Sequence, residues 1–453
     1  MNYSFPKDFY WGVASSAFQA EGATFEGGKS LNVREWCFHH PEYGKRFQDQ
    51  LGPERIDFYH RYPEDLDLFQ EMGCKMFRFS IQWARIIPSK GAQPNQEGID
   101  YYNDLINQMV ERGITPFMDL WHSDLPIWVF DNGGLLTPEF IDLFVSYAEV
   151  CFREFGDRVK FWSTVNEPKL NVYGAYAHGH GYPYGHDVGQ AMLATHHMII
   201  AHYRCVKLLR KMWPDAKIGS VHNTGEAYSR SFDPVDIAAA KRHWAMQLVL
   251  SDPMILGKYP DEMMEFEPMR KHITDEMLKQ MEEEFIPMDF LGCNNYCPTH
   301  VRYSTDEKAS AYGTKGFATP DLEADAYGFR NYGPALFDIL MNFKDRYNNI
   351  MIFVTENGYT DRREDLDADL ADYQHDVKRQ LYLREHIRNC GRAIRAGVNL
   401  AGYLYWSATD VWESSMGYGY PMGLIAVDLK NQKRIPRDSY YYYQQIIRNN
   451  MID

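Results

Sequence analysis

Eight short apolar runs recur along the chain, mostly separated by stretches with helical periodicity. They cover residues 9–16, 76–81, 115–120, 161–167, 217–223, 290–296, 350–355 and 400–407. Short runs rich in β-branched and aromatic residues read as buried strands. Helical patterns fall at 54–72, 98–112, 137–155, 188–212, 334–347 and 371–396, and residues 224–286 read as mostly helical with a proline-interrupted middle. The stretch 302–332 reads as a long polar loop. Eight strands alternating with helices predict an α/β chain folded as one (β/α)8 TIM barrel over residues 1–453, with long βα loops. An open doubly wound sheet is the alternative. It is weakened because no glycine-rich phosphate loop follows the first strand.

Two of the runs end in glutamate. The uncharged run 350–354 leads to Thr355, Glu356, Asn357 and Gly358, and residues 161–165 lead to Asn166, Glu167 and Pro168. The carboxyl ends of barrel strands are where ligands meet the sheet. A lone glutamate there is ordinarily a solvated group, but a pair has a chemistry. Two carboxyls can protonate a glycosidic oxygen and attack or shield the sugar carbon, with retention when they stand about 5 Å apart and inversion when wider. Arg78 lies inside the second apolar run and needs a partner, since an unpaired buried charge is costly. If the second and seventh strands end in one bowl, Arg78 keeps Glu356 ionised, as a nucleophile requires. Glu167 stands between Asn166 and Pro168, with no basic residue directly beside it, and is expected to be the acid. Gln19, His122, Asn166, Asn294, Tyr296 and Glu413 fall at or just after strand ends and are types that hydrogen-bond sugar hydroxyls. Trp406 reads either as a stacking platform or as core.

The net charge of −15 argues against nucleic acid and anionic membrane surfaces as partners, both of which select clustered Lys and Arg. A small-molecule β-glycoside or oligosaccharide fits, and a homo-oligomer is left open. The surplus of aromatics, 32 Tyr and 10 Trp, suits either sugar stacking or a large core. Seven scattered cysteines form no close pairs, so neither a disulfide nor a zinc framework is implied, and a reducing, cytoplasmic setting is expected. The histidines at 39–40, 178/180 and 196–197 lack a third ligand at metal-site spacing. No signal peptide or membrane span is expected.

Four motifs carry a resemblance. Residues 5–22 read FPKDFYWGVASSAFQAEG, 77–88 FRFSIQWARIIP, 164–168 TVNEP and 355–358 TENG. In this order, from end to end of the chain, they resemble glycoside hydrolase family 1, the β-glucosidase family. The resemblance implies a retaining mechanism in a (β/α)8 barrel, with Glu356 as nucleophile and Glu167 as acid/base. It implies that Gln19, His122, Asn166 and Glu413 hold hydroxyls of the cleaved sugar. Arg78 and Tyr296 would hold the nucleophile, Trp406 would floor the sugar site, and Asn223 and Asn294 would line the same pocket. No metal or organic cofactor is implied. The chain departs from the family pattern at Ser414, where the family has Trp, at Ser123, Asn295 and at Pro421-Met422. Losing the indole at 414 opens volume and removes one donor, so galactoside, fucoside or larger glycones stand beside glucoside. The family's 6-phospho branch has Ser where this chain has Glu413, and a carboxylate there would repel a phosphate. A sugar-binding relative without activity is a different class, but such relatives usually lose one of the two glutamates.

Overall fold

The computed structural model describes residues 2–47, 51–306, 313–317, 322–368, 370–413 and 416–453. The expected eight strands form a closed barrel. They are β1 (Tyr10–Ala14), β2 (Met76–Ser80), β3 (Thr115–Asp119), β4 (Phe161–Asn166), β5 (Lys217–Asn223), β6 (Phe290–Asn294), β7 (Met351–Glu356) and β8 (Leu400–Trp406). Each pairs in parallel with the next, and β8 closes on β1 from Gly402 against Tyr10 to Trp406 against Ala14.

The outer ring is built from α1 (Phe58–Met72), α2 (Gln96–Glu111), α3 (Glu139–Phe155), α4 (Val188–Met212), α5 (Pro234–Gln247), α6 (Asp275–Glu284), α7 (Pro334–Arg346), α8 (Val377–Arg395) and α9 (Asp438–Asn449). Their apolar spacing explains their seating. In α3, Phe140, Ile141, Phe144, Tyr147, Ala148 and Cys151 recur every three or four residues and are buried as one stripe. Helix α1 stops at Gly73, whose φ of 90° is a left-handed cap that a side chain would disfavour. No helix among the described residues is long and apolar enough to cross a membrane.

The amino end of the barrel is plugged by aromatic rings. Phe353 lies 5.5 Å from Phe161, 5.5 Å from Phe290, 5.7 Å from Phe117 and 6.0 Å from Tyr10, centroid to centroid. Five strands contribute one ring each, which leaves the carboxyl end as the open mouth.

The structure differs from the sequence reading in one loop. Part of the expected polar loop 302–332 is sheet: Thr314–Phe317 pairs antiparallel with Thr299–Tyr303, which pairs in parallel with Ala227–Ser229. Only Val301 of the middle strand is fully buried, so the apolar alternation that marks a strand is too brief to see. A short helix that the sequence patterns did not mark covers Pro168–Tyr176. The chain ends meet as well, with Tyr3–Ser4 pairing antiparallel with Met451–Ile452.

Candidate active site

The two glutamates reach the mouth by different backbone devices. Glu356 is the last residue of β7, and the three residues around it fix the strand end. Thr355 Oγ1 donates to Asn294 Oδ1 at 2.7 Å. Asn357 Nδ2 donates to the Asn295 carbonyl at 2.6 Å and to Tyr382 Oη at 2.8 Å, while Tyr403 donates to Asn357 Oδ1 at 2.7 Å. Gly358 is required by space, since a Cβ there would stand 1.8 Å from the Trp406 carbonyl oxygen. Glu167 lies just past β4, where Pro168 opens a helix. A proline bars the preceding residue from the right-handed helical region. Glu167 takes the left-handed conformation at φ 47°, a strained choice held by its N–H on the Val221 carbonyl at 2.8 Å.

Around these carboxyls the candidate residues converge. Arg78 is fully buried, and its guanidinium lies 2.8 Å from Glu356 Oε1 and 2.6 Å from Asp119 Oδ2, and donates to Asn166 Oδ1 at 2.6 Å. Tyr296 donates to Glu356 Oε2 at 2.7 Å. Burial holds its phenol well above the usual range, so it stays a donor. Glu167 Oε1 accepts from two neutral amides, Asn223 Nδ2 at 3.0 Å and Asn294 Nδ2 at 2.9 Å. Asn294 also donates to Asn166 Oδ1 at 3.0 Å, so one amide bridges the surroundings of both glutamates. Because Arg78 and Asn294 both donate to Asn166 Oδ1, the Asn166 amide nitrogen faces His122 Nε2, 3.0 Å away. His122 lies flat against Trp406, with centroids 5.6 Å apart and planes at 22°. Burial, helped by the Arg78 charge, lowers the His122 imidazole. It is therefore neutral at neutral pH.

A second group forms the outer wall. Gln19 Nε2 donates to Glu413 Oε1 at 3.0 Å and to the Trp412 carbonyl at 3.2 Å. Ser16 Oγ fixes the same amide, 2.8 Å from Gln19 Oε1. Burial pushes Glu413 up to about 7 against the hydrogen bonds of Tyr327 and Gln19 and the charge of Arg34. The Glu167 charge pushes it further in the same direction, so the two groups share one field. Ser414, expected at this wall, lies outside the described residues.

One expectation needs correction. Arg78 meets Glu356 as anticipated, yet burial and the Glu167 charge still push Glu356 up to about 8, with Arg78 and Tyr296 pulling the other way. Burial is the largest cause and the facing Glu167 charge the next, and together they outweigh the arginine and the phenol. Asp119 meets the same guanidinium from the other side. Asp119 was not singled out from sequence, although a buried acid inside an apolar run carries the same signal as Arg78. Tyr327, on Glu413, carries no such signal.

The comparisons agree with this geometry. The model of glycosyl hydrolase family 1 matches residues 1–452. A β-glucosidase A from Thermotoga maritima is 34% identical over 451 residues, covering 99% of both chains. A 6-phospho-β-glucosidase from Bacillus subtilis is 32% identical, covering 98% of this chain and 97% of its own. A solved structure of the Thermotoga maritima β-glucosidase in complex with glucoimidazole superposes with a TM-score of 0.92 at 33% identity, over 99% of each chain. The chain belongs to glycosyl hydrolase family 1.

Proposed function

We propose that this chain is a retaining β-glycosidase acting on a neutral β-linked sugar, with glucose as the leading glycone. The observation that carries the reading is an asymmetric pair of carboxyls in one polar network. Glu356 is held by a cation and a phenol, whereas Glu167 is held by neutral amides. The contrast suits Glu356 to attack and Glu167 to supply the proton.

In the first step Glu356 attacks the anomeric carbon and Glu167 gives its proton to the glycosidic oxygen. The bond to the aglycone breaks and a glycosyl ester on Glu356 forms. In the second step Glu167 takes a proton from water, which attacks the same carbon and releases Glu356. Two inversions give net retention. Asn166 and His122 hold hydroxyls close to the reacting carbon over the Trp406 ring. Gln19 and Glu413 hold those farther out. Their acceptor oxygens suit hydroxyls, and the Glu413 carboxyl opposes a phosphate, which supports a neutral glycone over a 6-phosphate.

A panel of 4-nitrophenyl β-glycosides (glucoside, galactoside, fucoside, xyloside and glucoside 6-phosphate) tests the reading with the parent enzyme and Glu356→Ala. Cleavage of a neutral glycoside is expected. The variant should lose it, and azide should restore it with an α-glycosyl azide as product. Cleavage of the 6-phosphate alone would overturn the role given to Glu413.

A further inference from the structure

The connection from β6 to β7 folds back on itself late in its course, where Ala324 bridges Arg330. This turn is fastened to the strand end that carries Glu356. The Ala326 N–H donates to the Thr360 carbonyl at 3.2 Å. Asp325 locks the turn with both carboxyl oxygens. Oδ1 accepts from the Phe329 N–H at 2.9 Å, and Oδ2 from the Thr360 N–H at 3.4 Å. Thr360 stands four residues past Glu356.

The fastened turn lays a line of rings across the mouth. Phe329 lies 5.4 Å from Tyr296, whose hydroxyl holds Glu356. Tyr327 stacks on Phe329 at 5.4 Å with planes at 17°, and meets Tyr420 at 5.1 Å. Three residues before Tyr420, the Gly417 carbonyl accepts from the Glu413 N–H at 3.1 Å. The line thus runs from the nucleophile's phenol to the outer wall, and Tyr327 ends it with its hydroxyl on the Glu413 carboxyl. A phenylalanine would stack between Phe329 and Tyr420 as well, so packing does not account for that hydroxyl. A carboxylate accepts at about four sites. Gln19 and Tyr327 occupy sites on Glu413 and fix its orientation, which leaves the others to a sugar. In sequence, Glu413 is followed by Ser414 instead of the family's indole, a loss of volume and of one donor. Tyr327 brings a ring and a donor to the same carboxyl.

We propose that Tyr327 is a specificity-determining residue of the glycone wall: its hydroxyl fixes Glu413 for the outer hydroxyls of a neutral hexose, so that a sugar with a hydroxymethyl arm is preferred to a pentose. The proposal rests on the neutral-glycoside reading above. A wall built to hydrogen-bond a hydroxyl discriminates against the analogue that lacks it, because its own polar groups are then left unpaired. Tyr327 acts through Glu413, so it is a positioning residue.

The test is a double-mutant cycle on 2,4-dinitrophenyl β-glucoside and β-xyloside, whose reactive leaving group keeps slow variants measurable. The proteins are the parent, Tyr327→Phe, Glu413→Ala and the double variant. Tyr327→Phe should lower kcat/KM for the glucoside about tenfold. The xyloside, which has no hydroxymethyl arm, should lose distinctly less. In the Glu413→Ala background the same substitution should have little further effect on the glucoside, since the two residues work as one unit. An unchanged glucoside value in Tyr327→Phe overturns the proposal. So does a loss that persists in full without Glu413, or one that falls equally on the xyloside. In each of these cases, cleavage of the glucoside by the parent leaves the glycosidase reading standing. A parent that cleaves neither glycoside overturns both.

Discussion

The two ends of the barrel are made from the same strands and do opposite work. At the amino end, β1, β3, β4, β6 and β7 contribute Tyr10, Phe117, Phe161, Phe290 and Phe353, which pack as rings. At the carboxyl end the same strands lead to Gln19, Asp119 and His122, Asn166 and Glu167, Asn294 and Tyr296, and Glu356. The distance from Phe353 to Glu356 is three residues of one strand. The rings gain from leaving water and from contact with one another, so they stabilise the fold. The mouth gathers Glu167, Glu356 and Glu413, and two buried carboxyls there, Asp119 and Glu356, share one fully buried arginine, an arrangement that does not favour folding. The plug supports the barrel, and the mouth spends part of that stability on chemistry.

The contrast gives a crossed pair of variants. Glu356→Gln should lower kcat by roughly 10⁴-fold or more, since a residue acting as one member of a catalytic unit cannot be replaced by its partners. Its unfolding free energy at neutral pH should not fall. Phe290→Ala should do the reverse. It removes a fully buried ring 5.3 Å from Phe117 and 5.5 Å from Phe353. A loss of about 3–5 kcal/mol of stability is expected. Its kcat, measured well below the unfolding transition, should stay near that of the parent. Denaturant titration and steady-state kinetics on both proteins check the pair. A Phe290→Ala enzyme that is stable but slow would show that the two ends are not separable.

A smaller effect probes the mouth alone. Tyr296→Phe deletes one donor to Glu356 Oε2 while Arg78 remains on Oε1. Hydrogen bonds to charged groups are worth about 1.5–3 kcal/mol, so kcat should drop roughly 10- to 100-fold. The lost hydroxyl favoured the ionised carboxyl, so Glu356 should bind its proton more tightly. The acid limb of the pH–rate profile should therefore move to higher pH. A profile that keeps its acid limb would detach Tyr296 from Glu356.

The same division explains what the sequence made legible. Strands buried on both faces read as apolar runs, and a charge interrupting such a run stands out, so Arg78 and the two terminal glutamates were visible. TENG and TVNEP could be read because each position answers a local demand: Thr355 and Asn357 tie down the strand end, Gly358 leaves room for a carbonyl, and Pro168 turns Glu167 out of the strand. Tyr327 could not be read, because its place against Glu413 is set by a connection between β6 and β7 rather than by any local pattern. The balance at Glu356 could not be read, because it depends on how deeply the carboxyl is buried and how near Glu167 comes, and neither shows in sequence. Pairing in space decides charge, and one strand shows only one partner.

That balance leads to the smallest and most specific expectation. A carboxyl that rises to about 8 on folding binds its proton more tightly in the native than in the unfolded chain. Between the unfolded value near 4.5 and about 8, the native state thus carries more protons, and stability falls as pH rises through that window. Glu356→Gln removes this term. Its hydrogen-bonding oxygen can still accept from Arg78, whose charge remains balanced by Asp119. The stability advantage of the variant over the parent should therefore grow from pH 5 toward 8 and level off above it, whereas the plug variant Phe290→Ala should track the parent at a constant offset. Thermal unfolding of the three proteins across that range measures both slopes. A constant gap for Glu356→Gln would mean that Arg78 does hold Glu356 ionised despite burial and the Glu167 charge.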